Sequence, residues 1–194
     1  MLKSARGLGL RTEPSDQKNV DASKYRIPVK FGNYSHSDLV SAPPCGTYLA
    51  EYNGIASYSN GEYQGTGYSC GDWTATGYQF QCVEYAQRYF NYLYGVQPVW
   101  PVNYASQMCY SYPAGMTTVY PPEPGDAVVW NWDEYGHVAV VLKVGDGVID
   151  VIEENGSPYG TNTYYSSDVY CYLRFVGWTD APESLVRKDL LGVE

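Results

Sequence analysis

The sequence predicts an α+β fold, and three observations carry that prediction. One amphipathic helical stretch stands near the middle of the chain. The half that follows it is a series of short β-branched runs separated by turn residues, so helix and strands are segregated rather than alternating. The chain has 194 residues, enough for one domain with a sizeable core, and its 20 glycines and 12 prolines indicate many turns.

In chain order, residues 1–23 are polar, charged and aperiodic and are expected to form a flexible N-terminal arm. Residues 24–180 are expected to be the folded domain, and the charged residues 181–194 a C-terminal tail that could form one short helix. The opening stretch, "MLKSARGLGLRTEPSDQKNV", has basic residues but no continuous apolar segment, so it does not read as an intact secretory signal. Residues 35–76, rich in Gly, Ser, Asn and Tyr, read as an ordered loop region with short strands. The helix comes next, in "YQFQCVEYAQRYFNYLYG". Cys82, Tyr85, Ala86, Tyr89, Phe90 and Leu93 recur at helical spacing, which leaves Glu84, Gln87, Arg88 and Asn91 for a wetter face. Glu84 and Arg88 stand four apart, in the order that favours a surface pair, and Gly95 stops the helix. "NYASQMC" suggests a second short helix, and "YPPEPG" a sharp break. The runs "DAVVWNW" (126–132), "GHVAVVLKV" (136–144), "GVIDVIEEN" (147–155) and "VYCYLRFVGW" (169–178) then read as strands, with a hairpin turn at "VGDGV".

Composition excludes some functions. A formal net charge of −9 argues against a nucleic-acid binder that tracks phosphates, and it suits a cationic substrate or surface. No apolar run approaches the roughly 18 residues of a membrane span. Five cysteines are present, an odd number. With Cys82 free, Cys45, Cys70, Cys109 and Cys171 allow three pairings, of which Cys45 with Cys70 is the first choice because they flank one loop-rich segment. Disulfides suit the low-lysine, Tyr/Gly/Ser/Asn-rich composition of an extracellular or periplasmic protein.

The chemistry centres on Cys82. A thiol at a helix start feels the positive end of the helix dipole, which favours the reactive thiolate; against that, a cysteine is more often a small buried hydrophobe. A thiolate nucleophile needs a base, and the chain has two histidines. His36 lies in the polar "NYSHSDL", whereas His137 opens a predicted strand, so His137 is the better candidate. The imidazole in turn needs an orienting acceptor, and the next strand ends in Glu153, Glu154 and Asn155. A two-residue turn at Gly145-Asp146 would set His137 opposite Glu154. A three-residue turn through Gly147 would set it opposite Asn155, with Glu153 on the same face. The glycine at 147 and the continuous apolar face of Ile149 and Val151 favour Glu153. The alternative is that both glutamates are solvated strand-end charges. A zinc site from Cys82, His137 and Glu153 lacks any short ligand-pair spacing, so no metal or other cofactor is expected.

The motifs "YQFQCVEYAQRYFNYLYG", "PGDAVVW", "YGHVAVV" and "VIEEN", in that order, resemble those of the CHAP family of cysteine, histidine-dependent amidohydrolases and peptidases. The first, with the upstream "GTYLAEYNGIASYS", also looks like the amidase domain of glutathionylspermidine synthetase/amidases. The resemblance covers roughly residues 46–178. It implies a papain-like fold, a helix bearing the nucleophile packed on an antiparallel sheet bearing the base. It also implies Cys82 as nucleophile, His137 as base, Glu153 as orienting carboxylate and Asn155 as a supporting polar group. Members commonly read Glu-Gln-Asn where this chain has Glu153, Glu154 and Asn155, so Glu154 is a departure. The oxyanion hole would combine the Cys82 backbone N–H with a side chain from Gln81, Gln79 or Tyr78. The activity implied is hydrolysis of an amide in bacterial peptidoglycan or its stem peptides, by a secreted, periplasmic or wall-delivered enzyme. The alternatives are cleavage of a small cationic amide such as glutathionylspermidine, and a non-catalytic wall- or glycan-binding module. An inhibitor protein is a conceivable partner of unknown identity.

Overall fold

The computed structural model describes residues 30–31, 42–96 and 102–177. The expected N-terminal arm, His36, Trp178 and the C-terminal tail lie outside them.

The amphipathic stretch forms the helix α1 (Cys82–Tyr94), and Gly95 ends it in the left-handed conformation at φ 64°, which a residue without Cβ adopts at least cost. Eleven strands accompany it among the described residues. In chain order they are β1 (Lys30–Phe31), β2 (Tyr48–Tyr52), β3 (Ile55–Tyr58), β4 (Trp73–Thr74), β5 (Gly77–Tyr78), β6 (Met116–Thr118), β7 (Ala127–Trp130), β8 (His137–Val144), β9 (Val148–Ile152), β10 (Thr161–Tyr165) and β11 (Cys171–Phe175). They make a six-stranded antiparallel sheet in the order β10-β9-β8-β7-β11-β6, a three-stranded sheet β1-β2-β3 and the small hairpin β4-β5. "NYASQMC" forms a 3-10 turn, Ala105–Cys109, rather than an α-helix.

Alternation along the central strands separates two cores. Val138 and Val140 of β8 and Ile152 of β9 face α1, where they meet Tyr85, Ala86, Tyr89 and Phe90. Ala139 and Val141 of β8 and Ile149 and Val151 of β9 face the other way, onto Val128, Trp130 and Tyr172. A helix packed on an antiparallel sheet is the α+β arrangement expected from the sequence, and the layout that the family resemblance implies. Disulfides join Cys45 to Cys70 and Cys109 to Cys171, and Cys82 is free.

Two expectations need correction. The β8–β9 turn is neither of those considered. Gly145 N–H donates to Val148 O at 3.0 Å, so the loop is Asp146-Gly147, and a bulge between Val141 and Lys143 shifts the pairing by one residue. Beyond the bulge Val140 pairs with Ile152, the register that sets His137 level with Asn155. The extra β8 residue of the bulge offsets the shorter loop, so the register is the one expected from a three-residue turn, with His137 opposite Asn155, although the loop itself has two residues. The wet helix face is the second correction. Glu84 and Gln87 are buried, at 3% and 6% exposure. The β2–β3 hairpin and the loops before α1 cover the side of the helix that the period-3.6 pattern left polar.

Candidate active site

The site forms where the start of α1 meets the ends of β8 and β9. Cys82 is the first residue of α1, partly buried, and follows Gln81 in extended conformation. The backbone N–H groups of a first helical turn have no intrahelical partner. His137 opens β8 and pairs across the sheet with Trp130 of β7. Its imidazole Nε2 stands 2.7 Å from Glu153 Oε2. That leaves Nδ1 unclaimed by Glu153, and the Cys82 side chain is near enough to act on the charge of the ring.

Glu153 and Glu154 are neighbours on opposite faces, and both are fully buried. They are not solvated strand-end charges. Glu153 has the same parity as Ile149 and Val151 and meets His137 on that face. Glu154 turns toward the helix, where Arg88 Nη2 donates to its Oε1 at 2.7 Å and the Tyr58 N–H donates at 2.9 Å. Arg88 Nε also donates to Glu84 Oε1 at 2.9 Å and Nη1 to Ala56 O at 2.8 Å. One arginine therefore ties α1 to β3 and to the strand end that carries Glu153.

Burial opposes charge on His137, but the Glu153 carboxylate and the Cys82 thiol outweigh it and raise its pKa from 6.5 to about 10. For Glu154, burial is the largest influence and raises its pKa well above the ordinary carboxylate value. Arg88 pulls it down, and the nearby Glu84 pushes it up.

Asn155 does not meet His137. In the left-handed region at φ 61°, it donates from Nδ2 to Thr66 O at 2.7 Å and to Gln81 Oε1 at 2.9 Å. Its Oδ1 accepts from Gly65 N–H at 2.8 Å and from Asn60 Nδ2 at 2.9 Å. It thus fastens the loop before β4 to the residue preceding Cys82. Of the three side chains considered for an oxyanion hole, Gln81 is engaged on both sides, since its Nε2 donates to Tyr68 O. Gln79 Oε1 accepts from Asp72 N–H at 3.2 Å. Tyr78 is exposed and packs edge-on against Trp73, with ring centroids 4.8 Å apart.

Aromatic rings that sequence reasoning missed line the imidazole. Trp132 lies nearly parallel to His137 (interplanar 7°, centroids 6.1 Å), and Trp130 stacks on it at 5.8 Å. Tyr164 of β10 donates its hydroxyl to Glu153. β10, Thr-Asn-Thr-Tyr-Tyr, is rich in strand-forming Thr and Tyr but has no apolar alternation, and this hid Tyr164. Among the described residues no cluster of His, Cys, Asp and Glu could hold a metal ion, and no helix is long and apolar enough to cross a membrane.

Residues 72–155, which run from before Cys82 to Asn155, match the CHAP domain. No curated protein matches the chain. Solved structures similar to it include Ly7917 with the hydrolyzing product of MDP, at 21% identity and TM-score 0.41, covering 50% of this chain and 55% of that one. The wild-type endolysin LysIME-EF1 is similar at 17% identity and TM-score 0.42, covering 55% and 57%. An N-acetylmuramoyl-L-alanine amidase from Staphylococcus aureus is similar at 22% identity and TM-score 0.39, covering 53% and 32%. The chain thus spans about half the length, or less, of these structures.

Proposed function

We propose that the protein is a cysteine hydrolase that cleaves amide bonds of bacterial peptidoglycan. The observation that carries the proposal is the buried Glu153 carboxylate 2.7 Å from the His137 imidazole, with Cys82, at a helix start, among the groups that act on that imidazole. The match to the CHAP domain supports it.

In this reading the Cys82 thiolate attacks the amide carbonyl while His137, held in its charged form, donates its proton to the leaving amine. A thioester on Cys82 results. Water then attacks it with His137 as base, releasing the acid and restoring the thiol. Glu153 fixes the imidazole and stabilises its positive form. The Cys82 backbone N–H supplies one oxyanion donor. Gln79 is the side-chain candidate that remains, because the Gln81 amide is committed to Tyr68 and Asn155. Exposed Trp73, Tyr78 and Tyr68 on the Cys82 side and Trp132 on the His137 side offer rings for a glycan or peptide. Two disulfides suit an oxidising compartment outside the cytoplasm.

The test is to incubate the purified protein with sacculi and, separately, with glutathionylspermidine, and to analyse products by mass spectrometry. The proposal expects new amines or muropeptide fragments from sacculi. Release of glutathione and spermidine with unchanged sacculi would assign the site to a small cationic amide instead. Activity on neither, with Cys82 inert toward a thiol reagent, would indicate a binding module.

A further inference from the structure

The Glu153 carboxylate has no contact with solvent, so neighbouring groups alone fix its direction. One side is closed by backbone. A Cβ added at Gly156 would lie 2.6 Å from Glu153 Cδ and 2.7 Å from each carboxylate oxygen, so the chain presses on the carboxylate there. From another side Tyr164 Oη stands 3.2 Å from Oε1 and 3.1 Å from Oε2. Its ring is wedged against Trp130 at 4.6 Å and Trp132 at 5.4 Å, the two indoles that also flank His137. Its backbone is fixed by pairing with Ile149 in the sheet. Burial first, and then the Glu153 charge, push the phenol pKa upward, so the hydroxyl keeps its proton and acts as donor.

We propose that Tyr164 is a positioning residue for the candidate site: its hydroxyl, shared between both oxygens of Glu153, holds the carboxylate at the angle at which it accepts from His137 Nε2 and keeps Nδ1 turned to Cys82. A carboxylate held by one donor can swing about its terminal bond, and the imidazole would follow it. A second donor from a rigid strand removes that freedom. The inference rests on the Cys82–His137 assignment proposed above.

Tyr164→Phe keeps every ring contact and removes only the hydroxyl, so the fold is expected to survive, as near-UV circular dichroism would show. The readout is the rate of Cys82 alkylation by iodoacetamide, which needs no substrate. At pH 6 the thiolate depends on a correctly oriented imidazolium, and the variant should react slower by on the order of tenfold, the scale of one charge-assisted hydrogen bond. At pH 11, above the value of about 10 to which His137 is raised, the imidazolium no longer assists the thiol and the two rates should converge, which a merely structural role for Tyr164 would not produce. Equal or faster labelling of the variant at pH 6, with Cys82 of the parent protein reactive, would overturn the role of Tyr164 alone. A parent Cys82 that is silent at pH 6 would overturn the nucleophile assignment and this inference with it.

Discussion

Cys82 and His137 act, in the proposed mechanism, as one unit, so removing either should abolish turnover while leaving the fold intact. Cys82→Ala, His137→Ala and the double variant should all be inactive to about the same degree in a sacculus-release assay. A double variant far worse than each single one would mean the two residues work independently. The two adjacent glutamates should separate sharply. Glu153→Gln replaces the carboxylate on Nε2 and should reduce turnover strongly, whereas Glu154→Gln should leave most of it, because Glu154 meets Arg88 and Tyr58 rather than the imidazole. Their effects on stability follow from the direction of each pKa shift. Glu154 is raised, so its contribution is present below the ordinary carboxylate value and is lost as pH rises through its folded value. The His137 pKa is also raised, to about 10, so its stabilisation is fully present below about 6.5 and disappears as pH climbs through about 10. His137→Ala should lack that part of the alkaline decline, and an unchanged decline would show that His137 is not the charged partner of Glu153.

At the scale of elements, the site depends on how α1 is fastened to the sheet. Among the described residues, Arg88 is the cation that pairs with the buried Glu84 and Glu154. Arg88→Ala would strand both carboxylates and should cost about 3–5 kcal/mol in a denaturant melt. A loss below about 1 kcal/mol would mean that the cluster is as weak as an exposed pair. Gly156 guards the other end. Gly156→Ala has no left-handed backbone to relieve, yet its methyl would occupy the place of the Glu153 carboxylate. It should fold and lose most activity; full activity would mean that the carboxylate can move without consequence. Much at this scale was legible beforehand. The 3.6 period of Tyr85, Tyr89 and Phe90 marked α1, and the β-branched runs marked β7, β8, β9 and β11, because buried apolar faces write their period into the sequence. The bulge in β8, the burial of Glu84 and the strand β10 were not legible. Each depends on what packs from a distant part of the chain, and a polar residue buried by a hydrogen-bonded partner has the same local pattern as an exposed one.

For the whole molecule, the two disulfides tie the loop region before α1 to itself and the 3-10 turn to β11. Pairing was partly readable, since Cys45 and Cys70 bracket one loop-rich segment, while the 62-residue span from Cys109 to Cys171 became a pair only by elimination once Cys82 was set aside. Loop-closure entropy makes the longer link worth about 4 kcal/mol, so a Cys109→Ser, Cys171→Ser variant should lose stability on that scale while Cys82 remains reactive. Intact-mass analysis with alkylation before and after reduction should count one free thiol in the described domain and then five. The function as a whole rests on Cys82 carrying the acyl group, and an acid quench tests this most directly. The protein is mixed with muropeptides, stopped with acid during the first turnovers, digested, and mapped by mass spectrometry. The account predicts an acyl adduct on the peptide containing Cys82, absent from Cys82→Ala, which should also release no product. Continued amide cleavage by Cys82→Ala would contradict it.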